Sequence, residues 1–183
     1  MIAIAEAKSR LLDRIVWISF FTLVTILSAY VSIPLPFTPV PITLQTLAVV
    51  ASGAVIGKDA LISQLLYLIL GVFGLPVFAE ASGGTQVIFG ATGGYLLGFI
   101  LASAAAGKWI HPRYKELSFL NKTWRLFLVS LLIFIPGVLQ LCLVLKVNLW
   151  KGLELGFYPF ILGDLIKTFA ASSIPNRAIR LTI

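Results

Sequence analysis

Charged side chains are scarce in this 183-residue chain: Asp, Glu, Lys and Arg together make up 11% of it, whereas 59% is hydrophobic. A soluble domain carries about 25% charged residues, so this chain has too few charges to cover a water-exposed surface. The composition therefore excludes a soluble globular protein and predicts an integral membrane protein. The length allows roughly six membrane-spanning helices of about 20 residues each, in one membrane domain that comprises residues 1–183.

Residues that usually carry catalysis or bind metals are equally rare. The single cysteine, Cys142, lies in an apolar run, which excludes a disulfide framework. The single histidine, His111, has no metal-ligating residue near it in the sequence. Residues 53–59 superficially resemble a phosphate-binding loop, but the spacing is one residue short and no Ser or Thr follows the lysine. We therefore expect no enzyme, no ATPase and no cofactor.

Six apolar runs are predicted to form transmembrane helices. They are residues 16–33, 42–56, 60–72, 93–110, 124–147 and 156–174. In the fourth run, small residues such as Gly94 and Gly98 recur every four positions, which predicts close packing against another helix. In the fifth run, Pro136 and Gly137 predict a kink near the middle.

Two connecting segments are apolar and contain no lysine or arginine. Residues 34–41 hold four of the nine prolines, and this predicts an extended, stiff loop that folds over or into the bundle as a lid. Residues 74–93 are rich in glycine and small side chains, so we expect an irregular or re-entrant segment. Irregular backbone at membrane depth is tolerated only where it is buried in protein or lines a cavity.

The distribution of basic residues predicts the orientation. They concentrate at the N-terminus, at Lys58, in the 108–125 loop and at the C-terminus, where Arg177 and Arg180 lie. The positive-inside rule therefore predicts that this multi-pass protein of the cytoplasmic membrane has both termini in the cytoplasm and that the two apolar segments face outward. The net charge of +7 is thereby explained by topology, and we expect no nucleic-acid partner.

Asp164 and Lys167 lie inside the last apolar run, three positions apart and hence on one face of a helix. A charge at the centre of a bilayer costs on the order of 2.5–3.5 kcal/mol, so both charges need compensation. A purely structural intrahelical pair is one interpretation, and a Lys167 that extends to the headgroups is another. The functional interpretation is a polar ligand site buried in the bundle.

Four segments, in this order, resemble the signature of the BioY family. They are residues 32–47 (SIPLPFTPVPITLQTL), 74–79 (GLPVFA), 92–99 (TGGYLLGF) and 163–167 (GDLIK). BioY proteins are biotin-binding substrate-capture subunits of energy-coupling-factor transporters. The resemblance implies an all-α membrane protein of six helices, with a biotin pocket near the outer surface under the loop between helices 1 and 2. It also implies partnership with a transmembrane coupling subunit and two ATPases.

For biotin as ligand, Lys167 is suited to pair with the carboxylate, and Asp164 to accept hydrogen bonds from the ureido N–H groups. Gln45, Tyr95 or a free backbone N–H of residues 83–94 would serve the ureido oxygen. Phe37 and Phe78 would cover the ring and the tail. The remaining candidate ligand-binding residues are Thr43, Glu80, Gly93 and Gly94. In the empty site, Asp164 and Lys167 would pair with each other.

The chain departs from the family pattern at several positions. Ala91 and Leu162 stand where a proline is usual, and Glu80 stands where glycine or asparagine is expected and adds a third charge near the pocket mouth. Residues 18–23 are bulkier than the small-residue contact that the family uses for its coupling subunit. We therefore keep three alternative hypotheses. The protein is a solitary transporter acting as a self-oligomer, a carrier of a biotin precursor or another small solute, or a scaffold without transport function.

Overall fold

The computed structural model describes residues 2–179, with side chains from residue 7 onward; Arg180, part of the predicted C-terminal basic cluster, lies outside the described residues. This part of the chain forms nine α-helices and one β-hairpin. The elements are α1 (Ile2–Tyr30), β1 (Ser32–Leu35), β2 (Thr38–Thr43), α2 (Gln45–Ile56), α3 (Asp59–Val72), α4 (Thr85–Ile88), α5 (Gly93–Trp109), α6 (Phe119–Ser130), α7 (Phe134–Leu145), α8 (Leu149–Gly156) and α9 (Tyr158–Ser172).

Three helical stretches of the described residues are long and apolar enough to cross a membrane. They are Ala7–Tyr30, Gly93–Arg113 and Phe119–Leu145. Two further apolar helices, Gln45–Ile56 and Asp59–Val72, are shorter. A membrane protein built mainly of helices is therefore confirmed, whereas the count of six crossings stays a prediction.

Helix α5 is the centre of the packing, because α2, α3 and α7 all lie against it. Its small residues face the backbone of its neighbours: Gly94 lies against the carbonyl of Pro136, and Gly98 lies against the backbone of Ile133. On the α2 side, Gly53 lies against Ala106. The predicted small face thus permits backbone contact on both sides of α5.

Replacing Gly98 with alanine is expected to lower the free energy of unfolding by about 1–3 kcal/mol, the usual cost of overpacking a dense core. An added Cβ would lie 2.6 Å from the Cα and carbonyl oxygen of Ile133, and a backbone cannot move aside as a side chain can. The measurement is denaturant unfolding in detergent. Gly163→Ala is the matched control, since nothing lies within 4 Å of its added Cβ. Equal stability of both variants would contradict this account of the packing.

The helix expected over residues 124–147 begins earlier and is interrupted earlier than predicted. It starts at Phe119, and a 3-10 turn at Leu131–Ile133 separates α6 from α7. A proline ring within a helix clashes with the carbonyl four residues before it, which for Pro136 is that of Leu132. The interruption therefore falls one turn upstream of the proline and not at the Pro-Gly pair itself.

The last predicted helix, residues 156–174, is also shorter than expected. Most of the predicted 146–154 loop is helical, because α8 begins where the side chain of Asn148 accepts a hydrogen bond of 2.9 Å from the Lys151 N–H. Helix α9 starts afresh at Tyr158, and Pro159 in its first turn cannot donate a backbone hydrogen bond back to α8. The predicted loop is thus largely the helix α8, and the break at Phe157 falls inside the run predicted as the last helix.

The proline-rich segment is the exception to the predicted all-α class. Strands β1 and β2 pair antiparallel, with Ser32 opposite Thr43 and Ile33 opposite Ile42. Both strands of an isolated hairpin are edge strands, the one place in a sheet where proline is tolerated. The segment is extended, as predicted, but its two halves bond to each other.

Candidate ligand-binding site

A cavity of about 260 Å³ lies between the hairpin, the start of α2, the segment 78–92 and helices α5, α7 and α9. Seven of the ten predicted ligand-binding residues line it, and they come from four separate parts of the chain. These are Thr43, Gln45, Phe78, Glu80, Tyr95, Asp164 and Lys167. The fold therefore brings together residues that are up to 124 positions apart, as a shared site requires.

The polar centre of the cavity is a closed triangle of hydrogen bonds. Lys167 Nζ donates to Asp164 Oδ1 over 3.2 Å and to Thr46 Oγ1 over 2.9 Å. Thr46 Oγ1 in turn donates to Asp164 Oδ1 over 2.9 Å. Asp164 is 1% exposed and Lys167 is also buried, so α9 is tied to the start of α2 through a desolvated ion pair.

Asp164 Oδ2, the other carboxylate oxygen, is buried and has no hydrogen-bond partner among the residues that the structure describes. A buried acceptor without a donor is costly, and more so when it is charged. Asp164 thus has an unfilled hydrogen-bond position beside the Lys167 ammonium. A ligand N–H donor would form a charge-assisted bond there once the side chains that cover this oxygen move aside.

The two side chains predicted to serve the ureido oxygen are engaged with the protein instead. Gln45 Nε2 donates to the Tyr67 hydroxyl over 2.5 Å, and Gln45 Oε1 accepts from Thr43 Oγ1 over 3.1 Å. The Tyr95 hydroxyl donates to the carbonyl of Gly156 over 2.9 Å, which ties α5 to the junction of α8 and α9. Both residues line the cavity, but their polar groups hold its walls together.

Aromatic rings form the apolar part of the lining. Phe78 is fully buried, with its ring edge-on to Tyr67 at a centroid distance of 5.4 Å. The ring centroids of Phe134 in α7 and Phe160 in α9 lie 6.3 Å apart, and both rings line the cavity. A flat, apolar ligand group would be enclosed between such faces.

Sequence reasoning missed Thr46 and Phe160 as site residues. For Phe160 a signal existed, because Phe160, Asp164 and Lys167 follow the i, i+4, i+7 spacing of one helix face. Thr46 carried no such signal, since its hydroxyl matters only because α9 packs against α2.

Three predicted residues do not line the cavity. Phe37 lies at the turn of the hairpin and is 54% exposed. Gly93 and Gly94 are buried against the carbonyls of Ile88 and Pro136. Their position indicates close packing of α5 against its neighbours.

A buried ion pair that lines a cavity with aromatic walls in a helical membrane protein is typical of the class that binds small molecules with polar and apolar parts. The particular family is the BioY family: its model matches residues 4–182, and the chain belongs to it.

Curated relatives are similar over nearly the full length. The "Biotin transporter BioY" of Thermotoga maritima is 38% identical over 167 residues, which cover 89% of this chain and 94% of that protein. The "Probable biotin transporter BioY" of Bacillus subtilis is 32% identical over 180 residues, covering 94% and 91%. These relatives are named as transporters and not as enzymes.

A solved structure shares the fold. The crystal structure of the S-component for biotin from an ECF-type ABC transporter superposes with a TM-score of 0.84, at 24% sequence identity. The alignment covers 90% of this chain and 89% of the other.

Proposed function

We propose that the protein binds biotin in this cavity and serves biotin uptake across the cell membrane. The observation that carries the proposal is the buried Asp164–Lys167 pair, which lines a cavity of about 260 Å³ in a chain whose relatives are named biotin transporters. Biotin combines a carboxylate, a ureido group with N–H donors, and an apolar ring and tail. The cavity offers a cation, an unpaired acceptor and aromatic walls for these groups.

In the proposed complex, the Lys167 ammonium pairs with the biotin carboxylate, and Asp164 Oδ2 accepts a ureido N–H. Because Lys167 Nζ lies 3.2 Å from Asp164 Oδ1, both contacts form together only when the tail of biotin folds back towards its ring. Phe78 and Phe160 enclose the apolar parts. Gln45 Nε2 donates one of its two hydrogens to the Tyr67 hydroxyl, and its second N–H is the donor that we assign to the ureido oxygen. Phe37 comes to the ligand only if the hairpin moves inward.

We further propose six crossings of the cytoplasmic membrane: α1, α2, α3, α5, α6 with α7, and α8 with α9. The exposed basic residues Lys108, Arg113 and Lys115 lie at one end of α5, and the cavity lies at the other. The positive-inside rule supports cytoplasmic termini and an outward-facing cavity. Helices α2 and α3 are short for a full crossing, and the hairpin above α2 supplies part of the missing depth.

Energy for uptake is proposed to come from partner subunits. The similar solved structure is that of an S-component from an ECF-type ABC transporter, which supports a transmembrane coupling subunit with ATPases as partners. The bulky residues Phe20, Phe21 and Leu23 in α1 favour the second candidate, a solitary carrier acting as a self-oligomer. The two differ in one measurement, biotin uptake by cells that lack every coupling subunit.

Biotin is expected to raise the melting temperature of the detergent-purified protein. A ligand that binds only the folded state at 100 times its Kd stabilises it by about 2.7 kcal/mol. The measurement is thermal unfolding with biotin, with a biotin precursor that retains the ureido ring, and with thiamine as the unrelated control. A rise with the precursor but not with biotin would assign another ligand, and no rise with either would remove the proposal.

A further inference from the structure

Glu80 lies at the cavity in a backbone conformation that glutamate rarely adopts. Its φ is 58°, and that of Ala81 is 54°, both in the left-handed region that favours glycine. Two hydrogen bonds close this turn: the Phe78 N–H donates to the Ser82 carbonyl over 2.9 Å, and Ser82 Oγ donates to the Ala79 carbonyl over 2.7 Å. The turn thus holds a charged side chain where an uncharged glycine would be less strained.

The charges that line the cavity do not balance. Its charged side chains are Glu80, Asp164 and Lys167. Lys167 is paired with Asp164, whereas Glu80 is exposed and has neither a hydrogen bond nor an ion pair within residues 2–179. The lining therefore carries one uncompensated negative charge before any ligand enters.

We propose that Glu80 is a specificity-determining residue that selects ligands by the charge of their tail, an inference that rests on the proposed function. A carboxylate at the cavity repels the anionic tail of biotin, leaves a neutral tail unaffected and attracts a cationic one. Glu80 therefore weakens the preference for an anionic tail that Lys167 gives, which extends the ligand class from biotin towards its amides, the form in which biotin is linked to an amine. If the Glu80 carboxylate and the charged end of the ligand tail lie about 8 Å apart, an effective dielectric constant of about 40–80 gives a roughly two- to sixfold change in affinity.

The test uses Glu80→Gln, which keeps the size and the backbone strain and removes only the charge. Three ligands that share the ring are compared by isothermal titration calorimetry: biotin (anionic tail), biotinamide (neutral) and the aminoethyl amide of biotin (cationic). Relative to biotinamide, the variant is expected to bind biotin about two- to sixfold more tightly and the cationic amide more weakly by a similar factor. These opposite changes distinguish a charge effect from a structural one.

Glu116→Gln is the matched control, because Glu116 is exposed in the loop that follows α5, away from the cavity. It removes the same charge and should leave the three affinity ratios unchanged. If the wild type binds the ligands and Glu80→Gln leaves their ratios unchanged, the role of Glu80 is overturned and the proposed function is not. If the wild type binds none of the three, both are overturned.

Discussion

Replacing Lys167 with methionine is expected to weaken biotin binding by about 2–5 kcal/mol, the usual effect of truncating one partner of a buried, hydrogen-bonded charge pair. This is roughly a 30-fold to several thousand-fold rise in Kd. Methionine keeps the length of the side chain, so the cavity is not enlarged. What is lost is the ammonium group, which bonds Asp164 and Thr46 in the empty site and the ligand carboxylate in the proposed complex.

The neutral ligand biotinamide identifies the group that Lys167 binds. If the ammonium pairs with the carboxylate, Lys167→Met loses much less affinity for biotinamide than for biotin. Changing the lysine and the carboxylate separately and together forms a double-mutant cycle, which isolates the interaction between these two groups. Equal losses for both ligands would place the ammonium against another part of biotin. Lys151→Met is the control, because Lys151 lies exposed on α8 in a surface pair with Glu154, and such pairs contribute little.

The features that depend on local pattern were predictable from the sequence. Apolar runs indicated the positions of most helices, and the four-residue spacing of Gly94 and Gly98 indicated the face on which α5 packs. The pair at Asp164 and Lys167 could be predicted because i and i+3 share a helix face wherever that helix lies. Its distance of 3.2 Å follows from the helix itself.

The features that depend on contacts between distant segments were not predictable. The pairing of β1 with β2 could not be predicted from the proline content, because prolines indicate only that the backbone is extended. Thr46 bridges the ion pair because α2 lies against α9, more than 110 positions later in the chain. The Tyr95 hydroxyl is chemically suited to bind a ligand, but it donates its hydrogen bond to the Gly156 carbonyl. The break between α8 and α9 brings that carbonyl to the hydroxyl.

Asp164→Asn is expected to weaken biotin binding by about 1–3 kcal/mol, because hydrogen bonds to a charged group are stronger than those to a neutral one. The substitution keeps an acceptor for the Thr46 hydroxyl and removes the charge from the unpaired oxygen. Asp13→Asn on the exposed side of α1 is the matched control. An unchanged Kd, measured by calorimetry, would mean that no ligand N–H meets Asp164.

Changing Asp164 and Lys167 together distinguishes their contribution to ligand binding from their contribution to folding stability. Each single variant leaves the other charge buried without its partner, a loss of about 3–5 kcal/mol in the free energy of unfolding, whereas replacing both charges is often neutral or stabilising. The double variant Asp164→Asn/Lys167→Met is therefore expected to be more stable than either single variant in detergent unfolding, yet to bind biotin no better. Additive losses of stability would mean that the pair is solvated and not buried as the structure has it. Restored stability without restored binding would show that the chain keeps this ion pair in the membrane for its ligand, because folding alone does not need it.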